Sequence, residues 1–168
     1  HMSNFGLEIA LANKDIPFER AEVGDRYVMH ALLERGWTLG AETSGHILNL
    51  DASHTGDALV AALQVLGLMR SMDLTLKEIV KGVEKFPQVL VNVPVDNSRL
   101  WMQNKGLAEA VDDYQNQLGE RGRIYIRASG TEPLVRVMVE GDDQEETSPI
   151  AKHLRRLLKD SDQLVLGF

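Results

Sequence analysis

The second half of the chain contains stretches in which apolar and polar residues alternate strictly, and this pattern constrains the fold most. Residues 89–95 carry valine at every second position. Residues 134–140 do the same around three further valines, and residues 123–126 form a shorter stretch before them. Because side chains alternate between the two faces of a β-strand, this period of two predicts strands that each bury one face.

Helical patterns accompany these strands. Residues 104–118 and a segment ending near residue 159 have apolar residues at helical spacing, and Pro149 in the second segment favours a start at Ser148 or a distortion there. Residues 164–166, Leu-Val-Leu, are a candidate closing strand. The order of elements predicts a small two-layer α+β domain with an antiparallel sheet over residues 88–168.

Residues 3–87 have a different pattern. Three segments predict helices, namely residues 5–14, 25–35 and 56–71. The third is apolar nearly all round, so we expect it to pack between a sheet and a neighbouring element. Thr75 and Glu78 form a capping box before a fourth helix, and residues 47–50 predict a short strand. Together these elements predict a partial three-layer α/β domain that ends at residues 86–88.

The loop between the last two strands has the composition of an anion-binding site. Ser129 and Thr131 offer hydroxyl donors, and Gly130 between them allows a tight turn with inward N–H groups. Arg127 and Arg136 lie at the strand ends, where their guanidinium groups suit a phosphate dianion. The alternative is an ordinary hairpin with a glycine turn and two surface arginines. Hydroxyls on both sides of the glycine, with an arginine at each strand end, favour the anion site.

A second polar loop precedes the strand at residues 47–50. It carries Glu42, Ser44 and His46 between glycines. A carboxylate accepts from two adjacent hydroxyls and a serine both donates and accepts, so these groups suit recognition of a polyol. The alternative is a solvated loop, in which His46 is a structural or exposed histidine.

Gly24, Asp25 and Arg26 form a secondary candidate. Glycine and aspartate are typical of a turn followed by a helix N-cap, and this interpretation competes with a ligand-facing role. Arg26 lies at the start of the predicted helix, where a cation is electrostatically disfavoured. That mismatch hints at an anionic neighbour.

The composition narrows the class of function. The chain has 168 residues and a net charge of −7, without a run of five basic residues, which argues against nucleic acid as a partner. No apolar run approaches the ~18 residues of a membrane span. The absence of cysteine excludes thiolate sites and fits a cytoplasmic protein. His46 and His54 lack the spacing of a zinc site, so we expect no metal site. His1 and Met2 look like a tag remnant.

Two motifs together resemble those of a known family. Residues 127–136, Arg-Ala-Ser-Gly-Thr-Glu-Pro-Leu-Val-Arg, resemble the phosphate-binding loop of the α-D-phosphohexomutases. Residues 42–46, Glu-Thr-Ser-Gly-His, resemble their sugar-binding loop. Ala41 departs from the motif, which commonly has a second glycine there. The branch that acts on glucosamine phosphates is most similar at residues 23–28, 55–57 and 86–88.

The resemblance implies that the chain is the end of a four-domain enzyme, with most of the third domain and all of the fourth. The family carries a phosphoserine in its first domain and a Mg²⁺-binding Asp-x-Asp-x-Asp loop in its second, and neither motif is in this sequence. The implied reaction interconverts glucosamine 6-phosphate and glucosamine 1-phosphate through a hexose 1,6-bisphosphate. The implied partners are the phosphosugar and the missing N-terminal domains.

The resemblance also assigns roles to the two loops. Glu42 and Ser44 would hold sugar hydroxyls, and His46 would lie near the transferring group as a catalytic proton or charge partner. We expect the chain to be inactive alone, since it lacks the nucleophilic serine. The non-reacting phosphate would bind a set of five loop residues: Arg127, Ser129, Gly130, Thr131 and Arg136.

Two alternatives stay open. The chain could belong to another phosphohexomutase, a phosphomannomutase or phosphoglucomutase, or it could be a stand-alone phosphosugar-binding module.

The first domain lacks the opening strand expected of an α/β layer. We therefore expect an unpaired edge, exposed apolar surface and self-association of the chain.

Overall fold

The structure, a computed structural model, describes residues 1–95, 100–130 and 132–165. This part of the chain forms two compact units that divide after Glu84, and each is described by itself. Its helices are α1 Phe5–Ala12, α2 Asp25–Arg35, α3 Ala58–Met72, α4 Leu76–Ile79, α5 Lys105–Leu118 and α6 Gln144–Val165. Its strands are β1 Leu39–Ala41, β2 Ile47–Asn49, β3 Gln88–Pro94, β4 Gly122–Ala128 and β5 Leu134–Gly141. None of the helices within the described residues has the length and apolarity to cross a membrane.

The first unit contains α1–α4 and a hairpin in which β1 pairs antiparallel with β2. Local signals fix the helix ends. The Asn4 side chain caps α1 by accepting from the Gly6 N–H, and Gly36 ends α2 in the left-handed conformation. A small core forms where α2 meets the hairpin, and its buried members are Val28, Leu32 and Leu48. This contact holds the hairpin, and with it the loop between β1 and β2, against α2.

Helix α3 differs from its prediction as a packed helix. None of its residues is buried, and Leu59, Leu63 and Leu66 are 77%, 69% and 58% exposed. The prediction was wrong for a physical reason. The hairpin has two strands of three residues each, and so small a sheet cannot cover a 15-residue helix.

The second unit confirms the predicted two-layer α+β fold. Its sheet is fully antiparallel, with strand order β3-β5-β4. Helix α6 packs against β3 and β5, and α5 packs against β4. The core between helices and sheet takes alternate strand residues, as the period-two pattern requires. Its fully buried members include Val93, Leu107, Val135, Val137, Val139 and Leu154.

Helix α6 differs from two expectations. Of the two alternatives at Pro149, the start at Ser148 is wrong, while a distortion there stays a prediction. The helix begins at Gln144, with the Asp143 carboxylate accepting from the Glu145 N–H at 2.7 Å. It also runs to Val165, so the closing strand predicted at residues 164–166 was wrong at its first two positions; the third lies outside the described residues. The helix tolerates Pro149 because a stripe of buried residues after the proline packs the helix against the sheet. That stripe consists of Ile150, Ala151, Leu154 and Leu158.

Candidate functional site

The two arginines of the anion-loop prediction are register partners. Arg127 on β4 lies opposite Arg136 on β5. Their neighbours Ile126, Val135 and Val137 pack into the core beneath the helices. Because side chains alternate along a strand, both guanidinium groups project from the other face of the sheet. The fold thus brings the two cations together.

Each arginine holds a buried polar atom without a visible partner. The Nε atoms of Arg127 and Arg136 are buried and have no hydrogen-bond partner among the residues that the structure describes. Buried polar groups are normally satisfied, and like charges opposite one another destabilise a sheet. An anion between the guanidinium groups would relieve both costs. The pair therefore has the chemistry of an anion site.

The loop between the arginines is held by its own hydrogen bonds. The Ser129 N–H donates to the Leu134 carbonyl at 2.8 Å, and the Glu132 N–H donates to Ser129 Oγ at 3.3 Å. Gly130 is exposed, lies outside the left-handed region, and would offer a Cβ no atom within 4 Å among the described residues. Space next to Gly130 is therefore open. Thr131, the remaining member of the predicted set, lies outside the described residues.

Sequence reasoning did not single out one charged neighbour of this loop. Glu132 Oε2 lies 3.3 Å from Nη2 of Arg136, and the glutamate side chain is 57% exposed. A carboxylate thus occupies one side of the arginine pair. The spacing of four residues was the only available signal, and it is weak outside a helix.

The second predicted loop connects β1 to β2 and closes on itself. The Glu42 N–H donates to the His46 carbonyl at 2.9 Å, and the Gly45 N–H donates to the Glu42 carbonyl at 3.1 Å. Ser44 Oγ lies 3.3 Å from His46 Nδ1, and that nitrogen lies 3.6 Å from Glu42 Oε2. The structure therefore brings Glu42, Ser44 and His46 into one cluster. A carboxylate, a hydroxyl and an imidazole together can bind adjacent hydroxyls.

The secondary candidates meet this cluster through one residue. The Gly24 N–H donates to Glu42 Oε1 at 2.7 Å, which leaves the glutamate side chain 15% exposed. The Asp25 carboxylate instead accepts from the Arg26 N–H at 2.8 Å. The Arg26 guanidinium turns back over the ring of Tyr27, 4.6 Å from its centroid. Gly24 is thus the member of the three that contacts the predicted sugar loop.

The described ranges contain few side chains that could bind a metal ion together. No group of three or more His, Cys, Asp or Glu side chains there could hold a metal ion. We assign no metal ligand in this part of the chain.

Comparison with known families places both units. The family model of phosphoglucomutase/phosphomannomutase, alpha/beta/alpha domain III, matches residues 1–86. The model of the phosphoglucomutase/phosphomannomutase C-terminal domain matches residues 90–157. The chain belongs to the phosphoglucomutase/phosphomannomutase family. The anion loop and the cluster around Glu42 lie in different domains of that family.

Individual relatives with about 50% sequence identity share one name. Phosphoglucosamine mutase of Dechloromonas aromatica is 50% identical over 162 residues, covering 96% of this chain and 36% of that protein. Phosphoglucosamine mutase of Acinetobacter baylyi is 54% identical over 153 residues, covering 91% of this chain and 34% of that protein. The chain thus spans about a third of the length of these curated relatives.

Solved structures agree on the fold. The crystal structure of Aspergillus fumigatus N-acetylphosphoglucosamine mutase in complex with GlcNAc-6P and magnesium superimposes with a TM-score of 0.75. The superposition covers 93% of this chain and 36% of the Aspergillus chain, and the two sequences are 21% identical. At this identity the likeness establishes the fold alone.

Proposed function

We propose that the chain is the C-terminal part of a phosphoglucosamine mutase, which interconverts glucosamine 6-phosphate and glucosamine 1-phosphate. Relatives that bear this name are 50% and 54% identical across nearly the whole chain, which supports the branch. The chain's own task is to hold the substrate, while the preceding domains carry the phosphoserine. Both the cytoplasmic location and those domains as partners belong to this proposal.

The observation that carries the proposal is the arginine pair. Arg127 and Arg136 lie opposite each other with buried, unpaired Nε atoms among the described residues. A phosphate dianion matches two guanidinium groups in charge and accepts several hydrogen bonds. Ser129 and Gly130 lie in the loop that joins the strands of the two arginines, and Thr131 completes the set by sequence. We assign the non-reacting phosphate to this loop.

The cluster of Glu42, Ser44 and His46 is assigned to the sugar. A mutase must bind its hexose in two orientations, because either end receives the phosphoryl group in turn. A fixed carboxylate and hydroxyl can bind hydroxyls that are alike in both orientations. We assign His46, whose side chain is 59% exposed, as a proton or charge partner near the transferring group. Positioning of this kind supplies much of the catalysis in phosphoryl transfer.

Two further components belong to the whole enzyme. Mg²⁺ neutralises charge on the transferring phosphoryl group when it is bound. Because the described residues do not fit this ion, we derive no step through it. A hexose 1,6-bisphosphate is the intermediate that connects the two phosphorylated ends, and its second phosphate needs a holder such as the arginine pair.

The test is titration of this chain with glucosamine 6-phosphate, followed by amide chemical shifts. We expect shifts at Ser129 and Gly130, with those at Glu42 and His46 reporting sugar contact. Absence of any shift at millimolar ligand would overturn phosphate binding by this chain. Mannose 6-phosphate is the competitor that tests the branch, since equal affinity would favour a different phosphohexomutase.

A variant separates the two loops. Ser44→Ala should weaken binding of glucosamine 6-phosphate and leave binding of inorganic phosphate unchanged, because the hydroxyl lies in the sugar cluster. An equal effect on both ligands would contradict the sugar assignment. Turnover by the purified chain, free of host enzyme, would contradict its role as a substrate-binding part only.

A further inference from the structure

The carboxylate of Glu132 carries a negative charge next to the site to which we assign a phosphate, which is itself an anion. It lies 3.3 Å from Nη2 of Arg136, and that guanidinium is one of the two to which we assign the phosphate. A phosphate oxygen bonded to the same group would lie about 2.8 Å from it. The carboxylate and a bound phosphate would then be only a few ångströms apart and would repel each other.

Charge complementarity indicates what offsets this repulsion. Arg127 and Arg136 supply two positive charges, which a phosphate dianion balances. Glu132 then remains as one negative charge without a partner. A ligand that carries an ammonium group beside its phosphate would balance that charge as well. Glucosamine 1-phosphate is such a ligand, since its amine and its phosphate sit on neighbouring carbons.

We infer that Glu132 recognises the ammonium group of an amino sugar when the phosphate at carbon 1 is bound between Arg127 and Arg136. The inference rests on the proposed function and names the residue that selects amino-hexose phosphates over neutral ones. In the structure the carboxylate pairs with Arg136. On binding, the phosphate replaces it there and the ammonium group becomes its new partner.

The loop allows this exchange of partners. The backbone of Glu132 is held, because its N–H donates to Ser129 Oγ and its carbonyl accepts from the Leu134 N–H at 2.8 Å. Its side chain is 57% exposed, so the carboxylate can turn without disturbing the core. A fixed backbone with a mobile carboxylate suits a group that pairs first with the protein and then with the ligand.

The experiment measures dissociation constants of this chain for three ligands by calorimetry or amide shifts. The ligands are glucosamine 1-phosphate, glucose 1-phosphate and inorganic phosphate. The native chain should prefer glucosamine 1-phosphate over glucose 1-phosphate by about 1.5- to 5-fold, the range of an exposed ion pair. Glu132→Gln should abolish this preference and tighten binding of glucose 1-phosphate and inorganic phosphate.

Glu109→Gln is the matched control. Glu109 is exposed on α5, on the opposite side of the sheet from the arginines, so its removal changes the net charge equally without touching the site. It should keep the native preference. N-acetylglucosamine 1-phosphate has no ammonium group and should bind the native chain like glucose 1-phosphate.

The outcomes separate this inference from the proposed function. If the native chain binds both sugar phosphates equally, or if Glu132→Gln keeps the preference, the inference is overturned while phosphate binding stands. If the native chain binds none of the three ligands, both are overturned. Loss of all binding in Glu132→Gln alone would show that the carboxylate merely positions Arg136, and this also overturns the inference.

Discussion

The backbone N–H of Gly24 donates a 2.7 Å hydrogen bond to the carboxylate of Glu42, across a separation of 18 residues. This bond fixes one oxygen of the glutamate and leaves the other, Oε2, on the side of His46. Gly24 itself has φ of 130° and ψ of 134°, a conformation that residues with a Cβ rarely adopt. The orientation of the sugar-loop carboxylate thus depends on a glycine in another loop.

The first prediction concerns Gly24→Ala. The new Cβ would adopt a strained φ and would lie 3.3 Å from Cδ2 of Tyr27. We expect the first unit to lose about 1–3 kcal/mol of unfolding free energy, the cost of such a conformation, and sugar binding to weaken with it. Urea unfolding and ligand titration measure the two effects. Gly67→Ala is the control, because a Cβ there meets no atom of the described residues within 4 Å and alanine favours the helix.

The second prediction concerns Arg127→Met. Loss of the guanidinium should weaken phosphosugar binding by about 1.5–3 kcal/mol, the range of a hydrogen bond to a charged group. Without ligand, the variant should be as stable as the native chain or more stable, because it relieves the repulsion with Arg136. Thermal unfolding with and without phosphate tests both parts. Unchanged affinity would remove Arg127 from the site.

A neighbouring arginine provides the control for that variant. Arg123 projects from the same face of β4 but pairs with the fully buried Glu140, with Nε 2.7 Å from Oε2. Arg123→Met should therefore destabilise the second unit by about 3–5 kcal/mol, since it leaves a buried charge without its ion-pair partner. Phosphate affinity of the folded fraction should stay unchanged. The Arg123 and Arg127 variants would thus distinguish an effect on stability from an effect on phosphate binding.

Local signals explain the parts of the fold that the sequence predicted well. Helix α2 occupies residues 25–35 as expected, because Gly36 provides a conformation that ends a helix. Strand β3 follows from the valine alternation over residues 89–95, which needs no knowledge of the partner strands. In both cases neighbouring residues along the chain contain the whole signal.

Other elements depended on contacts that a sequence does not display. The run at residues 164–166 fits a strand or a helix equally, and the buried stripe of α6 extends the helix through its first two positions. The same stripe outweighs the cost of Pro149. Within the candidate site, the residue types predicted the loops, but the Gly24–Glu42 bond and the contact of Glu132 with Arg136 arise from the folded backbone.

The third prediction concerns acid stability. Hydrogen bonds from the side chains of Arg121 and Gln117 hold the pKa of Glu146 below its usual value. The folded state therefore favours the ionised carboxylate. This stabilisation is complete above the unfolded pKa of about 4.3, and it is lost as pH falls through the lowered folded pKa. Glu146→Gln should flatten the acid limb of a plot of unfolding free energy against pH.

Glu145→Gln is the matched control for this acid effect. Glu145 lies in the same first turn of α6, so both substitutions remove one charge from the helix N-terminus. Because the Glu145 variant leaves the pair of Glu146 and Arg121 intact, it should keep the acid dependence that this pair produces. Identical slopes for the two variants would mean that Arg121 contributes nothing to the acid dependence.

The last prediction concerns self-association of the chain. Strand β1 pairs only with β2 within the described residues, and Leu39 on it is 67% exposed. An exposed apolar edge strand is a template for pairing with a second copy. We expect the mass measured by light scattering to rise with concentration, and Leu39→Lys to suppress the rise. Leu33→Lys is the control, because Leu33 is 68% exposed on α2 but lies on no strand edge. A concentration-independent monomer would refute edge pairing, and equal suppression by both variants would assign the association to general hydrophobicity instead.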